Sequence, residues 1–112
     1  MRFGSVESLL FTATVSDYLP DDELAVLQEH LCEFPDAGDL IRGSGGVRKL
    51  RWARPGTGKS GGVRVCYYVR THAGQILLLL IYAKSVRASI PGAVLKALKE
   101  ELDDDHHHAP PH

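Results

Sequence analysis

The sequence predicts a single small domain that mixes helices with strands, and three observations carry that prediction. Residues 20–33 and 91–102 place apolar side chains at helical spacing, and each stretch opens near a proline, Pro20 and Pro91. Residues 8–15, 47–53, 63–70 and 75–82 are β-type runs rich in Val, Ile, Leu, Thr and Tyr, set apart by breaker residues. At 112 residues the chain has room for one core and no second.

Each element has its own signal. SLLFTATV at 8–15 reads as a first strand. In the helix that follows, Pro20 suits the first turn and Asp21, Asp22 and Glu23 favour the positive end of the helix dipole. Leu24, Leu27, Leu31 and Phe34 form its core-facing stripe, and Pro35 stops it near Glu33. Residues 36–46 read as a loop broken by Gly38, Gly43, Gly45 and Gly46.

In the second strand, alternation puts Lys49 and Arg51 on one face and Arg48, Leu50 and Trp52 on the other. RPGTGKSGG at 54–62 is a basic connector, long for a hairpin. In the third strand, Val63, Val65, Tyr67 and Val69 alternate with Arg64, Cys66, Tyr68 and Arg70. QILLLLIY at 75–82 is continuously apolar, as suits a central strand covered on both faces, and too short to span a bilayer as a helix. A basic loop with Lys84 and Arg87 leads to the last helix, whose apolar face is Val94, Leu95, Leu98 and Leu102. DDDHHHAPPH at 103–112 reads as a disordered acidic, His-rich tail that would hold a metal only opportunistically.

Charge is segregated along this frame. Twelve of the 13 Lys+Arg lie between Leu40 and Lys99, and all 14 Asp+Glu lie outside that span. The formal net charge of -1 therefore sums acidic ends and a basic middle. Such a middle attracts polyanions, chiefly nucleic acid. Cys32 and Cys66 lack metal-ligand spacing and read as buried thiols of a reducing compartment. MRFGSVESLL lacks the long apolar run of a signal peptide, so a cytoplasmic location is expected.

Two kinds of site present themselves. GTGKS at 56–60 resembles the end of a phosphate-binding loop, but Ala53 stands where the pattern needs glycine and a β-type run follows where it needs a helix. Nucleotide hydrolysis is not expected. The second is a set of cations: Lys49 and Arg51 share a strand face, and Arg64 can sit across from them if the two strands pair as a hairpin. A phosphodiester would satisfy the three. Cleaving RNA requires removing the 2′-OH proton, stabilising the phosphorane and protonating the leaving 5′-oxygen. A lysine crowded by other cations can act as the base, and arginine binds phosphate oxygens bidentately.

The segments LPDDELAVLQEHL, then PDAGDLIRGSGGVRKLRWARPGTGKSGGVRVCYYV, then LLLIYAKS resemble the RelE/ParE superfamily of bacterial toxins, most closely its HigB-like branch. The resemblance implies a small RelE-like α+β fold over residues 1–102: a twisted, mainly antiparallel sheet of about four strands with helices packed on it. It implies the toxin of a type II toxin–antitoxin system, a ribosome-dependent endoribonuclease. That enzyme enters the 30S A site, cuts mRNA by 2′-OH attack without metal or other cofactor, and is neutralised by a HigA-like helix-turn-helix antitoxin. Alternatives within it are a ParE-like gyrase poison and a non-catalytic relative that binds RNA or antitoxin.

The family's Lys-x-basic pair matches Lys49 and Arg51, the arginine opening the next strand matches Arg64, and the basic residues after the last strand match Lys84 and Arg87. Many RNA-cleaving relatives carry a catalytic tyrosine or histidine near the C-terminus, whereas the folded part of this chain has no aromatic residue after Tyr82. Tyr68, Tyr82 and Lys84 are the candidates to replace it. The expected catalytic set is Lys49, Arg51, Arg64, Tyr68 and Lys84. Arg48, Arg54, Lys59, Arg70 and Arg87 are expected to contact RNA or the ribosome.

Overall fold

In the structure, a computed structural model, residues 3–53, 62–84 and 90–107 are described, with 103–107 described by backbone alone. Five strands form one sheet: β1 (Gly4–Glu7), β2 (Asp39–Leu40), β3 (Val47–Trp52), β4 (Val63–Arg70) and β5 (Gln75–Ala83), in the spatial order β1-β5-β4-β3-β2. Only β1 is parallel to its neighbour; the β2–β3, β3–β4 and β4–β5 pairs are antiparallel. The α-helices are α1 (Leu9–Val15), α2 (Asp21–Glu33) and α3 (Gly92–His107). The α+β architecture is the one expected, with a fifth strand added.

β5 is an interior strand, between β1 and β4, and is covered on both faces as its apolar run suggested. Its two faces feed two cores. On one side Phe11, Val15, Leu19, Leu27 and Leu31 pack on Val63, Val65, Tyr67, Ile76, Leu78 and Ile81. On the other, Leu95 and Ile90 pack with Val47, Cys66, Leu77, Leu79 and Tyr82. The β4–β5 register jumps from Cys66↔Leu80 to Tyr67↔Leu78, so Leu79 opposes no residue of β4. This bulge sends Leu79 to the α3 side together with Leu77 and Leu80, whereas strict alternation would divide Leu79 from Leu80.

Residues 8–15, read as a strand, form α1 after a short β1. Ser8 decides this. Its Oγ accepts from the Phe11 amide at 3.0 Å and donates to the Leu79 carbonyl at 2.8 Å, capping α1 and tying it to β5. Phe11, Val15 and Leu19, four apart, are buried along one line. α2 matches its expected bounds, with Pro20 as its N-cap residue. Phe34, placed in the core stripe from sequence, is 51% exposed because it lies past the helix end. Val94, placed on the apolar face of α3, is likewise exposed, and α3 runs on to His107. Residues 54–61, 85–89 and 108–112, which include the basic connector, most of the second basic loop and the end of the tail, lie outside the described residues. Among the described residues no helix is long and apolar enough to cross a membrane.

Candidate nucleic-acid interface

The sequence GSGG ahead of β3 sets where the cations begin. Gly43, Gly45 and Gly46 have φ of 77°, 73° and 106°, the left-handed region that glycine enters without strain. Buried Ser44 fastens the turn: its Oγ donates to the Ile41 carbonyl at 2.6 Å and accepts from the Val47 amide at 3.0 Å. A second clamp lies at Gly38, whose amide donates to Tyr67 Oη at 2.8 Å while that hydroxyl donates to the Pro35 carbonyl at 2.8 Å. A Cβ at Gly38 would meet the Lys49 carbonyl oxygen and Tyr67 Cε1 at 2.9 Å, so only glycine fits. The tyrosine on β4 thus holds the chain entering β2 and β3. Burial raises its phenol above the ordinary 10.0, opposed by the Gly38 amide and the charge of Arg48.

From this frame the α3 side of the sheet becomes a series of cross-strand rows. Arg51, Arg64 and Tyr82 form the first: Arg51 pairs with Arg64 and Arg64 with Tyr82. Asp39, Lys49, Cys66 and Leu80 form the second. Val47, Tyr68 and Leu77 form the third. The hairpin pairing expected from sequence is present, and it brings Lys49, Arg51 and Arg64 to one face at one end of the sheet. Arg51 is exposed; Lys49 and Arg64 are half-buried. Among the described residues none of the three makes an ion pair with a carboxylate within 4.0 Å.

Asp39 is the residue that sequence reasoning missed. It stands one position outside the acid-free span, and the unexpected strand β2 places it opposite Lys49. The signal was there in its adjacency to Leu40, but a two-residue edge strand has no readable periodicity.

The other expected residues divide. Lys84 is exposed and follows β5 at the end of the sheet occupied by Arg51 and Arg64, since Ala83 pairs with Val63 and Val63 with Trp52. Tyr68 shares the face but lies in the third row, under α3, with Lys99 Nζ 4.6 Å from its ring centroid. Lys99 also donates to the Gly45 carbonyl at 3.3 Å. Arg48 belongs to the opposite face, where its Nη1 donates to the Gly38 carbonyl at 2.7 Å and braces the same turn as Tyr67. Arg70 is buried at the far end of β4, its Nη1 donating to Gln75 Oε1 at 3.2 Å. Arg48, half-buried, and Arg70, buried, both expected as RNA contacts, thus brace the chain away from the cationic rows. Arg54, Lys59 and Arg87 lie outside the described residues, as does the phosphate-loop-like GTGKS; β4 begins at Val63 with no helix of the kind such a loop needs.

No family model matches the chain. Its architecture defines a RelE-like α+β fold. Among solved structures it is similar to a mutant of the E. coli toxin RelE in the free state, with 15% sequence identity and a TM-score of 0.56, covering 89% of this chain and 98% of that one. At that identity the likeness establishes the fold.

Proposed function

We propose that this chain is the toxin of a type II toxin–antitoxin pair, of the HigB-like branch of the RelE/ParE superfamily, and that it cuts mRNA in the ribosomal A site. The observation that carries this reading is the convergence of Lys49, Arg51 and Arg64 on one sheet end, with Arg51 directly opposite Arg64. Two guanidiniums side by side suit a phosphodiester, whose two non-bridging oxygens together match the forked N–H donors of an arginine. Lys49 acts as the base for the 2′-OH proton or as a ligand of the phosphate, and the 2′-oxygen attacks the adjacent phosphorus. Arg51 and Arg64 stabilise the phosphorane, a contribution of roughly 3–4 kcal/mol per well-placed donor. The 5′-oxygen leaves with a proton from Lys84, giving a 2′,3′-cyclic phosphate. Ribosomal RNA meets the rest of the basic middle, Arg54, Lys59 and Arg87 included, and a HigA-like antitoxin with a helix-turn-helix part neutralises the toxin in the cytoplasm.

One observation favours a second reading, a non-catalytic RNA binder: Tyr68 lies beneath Lys99 and α3, away from the arginine pair. Induced expression in bacteria separates the two. The nuclease arrests growth and leaves codon-periodic mRNA ends by primer extension, and Arg64→Ala abolishes both. Harmless wild-type protein, or arrest without mRNA ends, overturns the nuclease.

A further inference from the structure

We infer that the groove between the start of α1 and the end of α3 is a docking site for a basic amphipathic helix of a partner protein. The groove encloses about 420 Å³ beside the edge strand β1, and Val6, Leu9, Leu10, Leu98 and Leu102 supply its apolar walls. Leu9 is 90% and Leu10 42% exposed, two adjacent leucines presented to solvent. They are fixed in place, because the doubly hydrogen-bonded Ser8 anchors the residues that precede and open α1. Exposed apolar surface of this kind, held rigid at a concave site, marks an interaction surface.

Charge identifies the occupant. Among the described residues the groove is lined by Glu7 and Glu101 and by no cation. Among the described residues Glu7 is held by neutral donors, Thr12 Oγ1 at 2.8 Å and Gln28 Nε2 at 3.4 Å, and no described cation pairs with it at the edge of the groove. Residues 3–39 contain nine of the 14 acidic residues and no Lys or Arg. A partner helix with leucines on one face and lysine or arginine beside them matches both features. A second copy of this chain does not: a two-fold contact through the groove brings Glu7 and Glu101 of both copies together in an apolar setting, where like charges are most costly. The groove borders β1, at the opposite edge of the sheet from β2, whereas the cationic rows are centred on β3 and β4.

The test titrates the isotope-labelled full chain with a synthetic amphipathic Leu/Lys peptide and with its Leu/Glu counterpart, followed by amide chemical shifts. The Leu/Lys peptide shifts the amides of Leu9, Leu10, Leu98 and Leu102, and the Leu/Glu peptide does not. Leu9→Asp, at a position too exposed to matter for folding, weakens binding about tenfold or more, the size of an interface anchor. Glu101→Lys weakens it and flattens its salt dependence. Equal binding of both peptides, binding of neither, or shifts confined to the acidic run 100–105 overturns the inference. So does concentration-dependent self-association that perturbs the same amides without peptide, since the occupant is then a second copy.

Discussion

Arg51 and Arg64 stand directly opposite each other on neighbouring strands, and among the described residues neither has a carboxylate partner. Like charges in that register destabilise a sheet by up to about 1 kcal/mol. A fold that keeps such a pair gains nothing from it in stability, so the pair is informative about binding. Arg64→Ala is expected to leave the melting temperature unchanged or raise it slightly while weakening RNA affinity. Removing one arginine–phosphate pairing lowers the slope of log affinity against log salt by about 0.7 for a single strand. Thermal melts and a salt titration with a short RNA check this together; a destabilised variant with full RNA affinity contradicts it.

The turn that delivers the cations to β3 depends on one hydroxyl. Ser44 is buried, and its Oγ serves both the Ile41 carbonyl and the Val47 amide. Ser44→Ala takes the hydroxyl partner from the Val47 amide, while the Ile41 carbonyl keeps the Ser44 amide at 3.3 Å, and a buried polar group left unpaired costs about 1–3 kcal/mol. Urea denaturation is expected to show a decrease of that order. Gly46→Ala adds a strained φ and a Cβ 3.1 Å from the Tyr68 ring, so it is expected to be at least as damaging.

Much of this frame was legible in the chain. β3, β4 and β5 follow from alternation and apolar runs, and α2 from its leucines and its acidic first turn. The pairing that unites Lys49, Arg51 and Arg64 follows from hairpin geometry alone. What escaped has physical reasons. SLLFTATV has β-type composition, and a single serine hydrogen-bonding to β5 turns it into α1, a tertiary contact that no local pattern reveals. β2 owes its existence to β3, and so Asp39 came unannounced to Lys49. Arg48 and Arg70 read as surface cations, but the carbonyl of Gly38 and the side chain of Gln75, distant in pattern though near in space, occupy them.

Tyr67 illustrates how the core face supports the cationic face. Its hydroxyl is both acceptor for Gly38 and donor to Pro35, and the ring lies fully buried. Tyr67→Phe keeps the packing and removes both bonds, leaving a buried amide without its partner. The expected cost is about 1–3 kcal/mol by chemical denaturation, with weaker RNA binding because the entry to β3 loosens. Gly38→Ala is expected to be worse, since its Cβ meets the Lys49 backbone itself. A Tyr67→Phe protein as stable as wild type removes this clamp from the account of the fold.

Cys66 sits in the second row, opposite Lys49, and is fully buried. Burial pushes its thiol up from 9.0 to about 11, and the Lys49 ammonium partly offsets that rise. The folded protein therefore holds the proton more tightly than the unfolded chain does. Stability from this group is complete below pH 9.0 and is lost as pH rises toward about 11. At 1.36 kcal/mol per pKa unit the loss is of order 2–3 kcal/mol. Denaturation midpoints measured from pH 8 to 11 are expected to fall, and Cys66→Ala, despite its small cavity, is expected to fall less steeply. Lys49→Met removes the opposing charge and pushes the thiol higher still, so alkylation of Cys66 in the native state, already slow, becomes slower. Faster alkylation in Lys49→Met than in wild type contradicts the placement of that lysine beside the thiol.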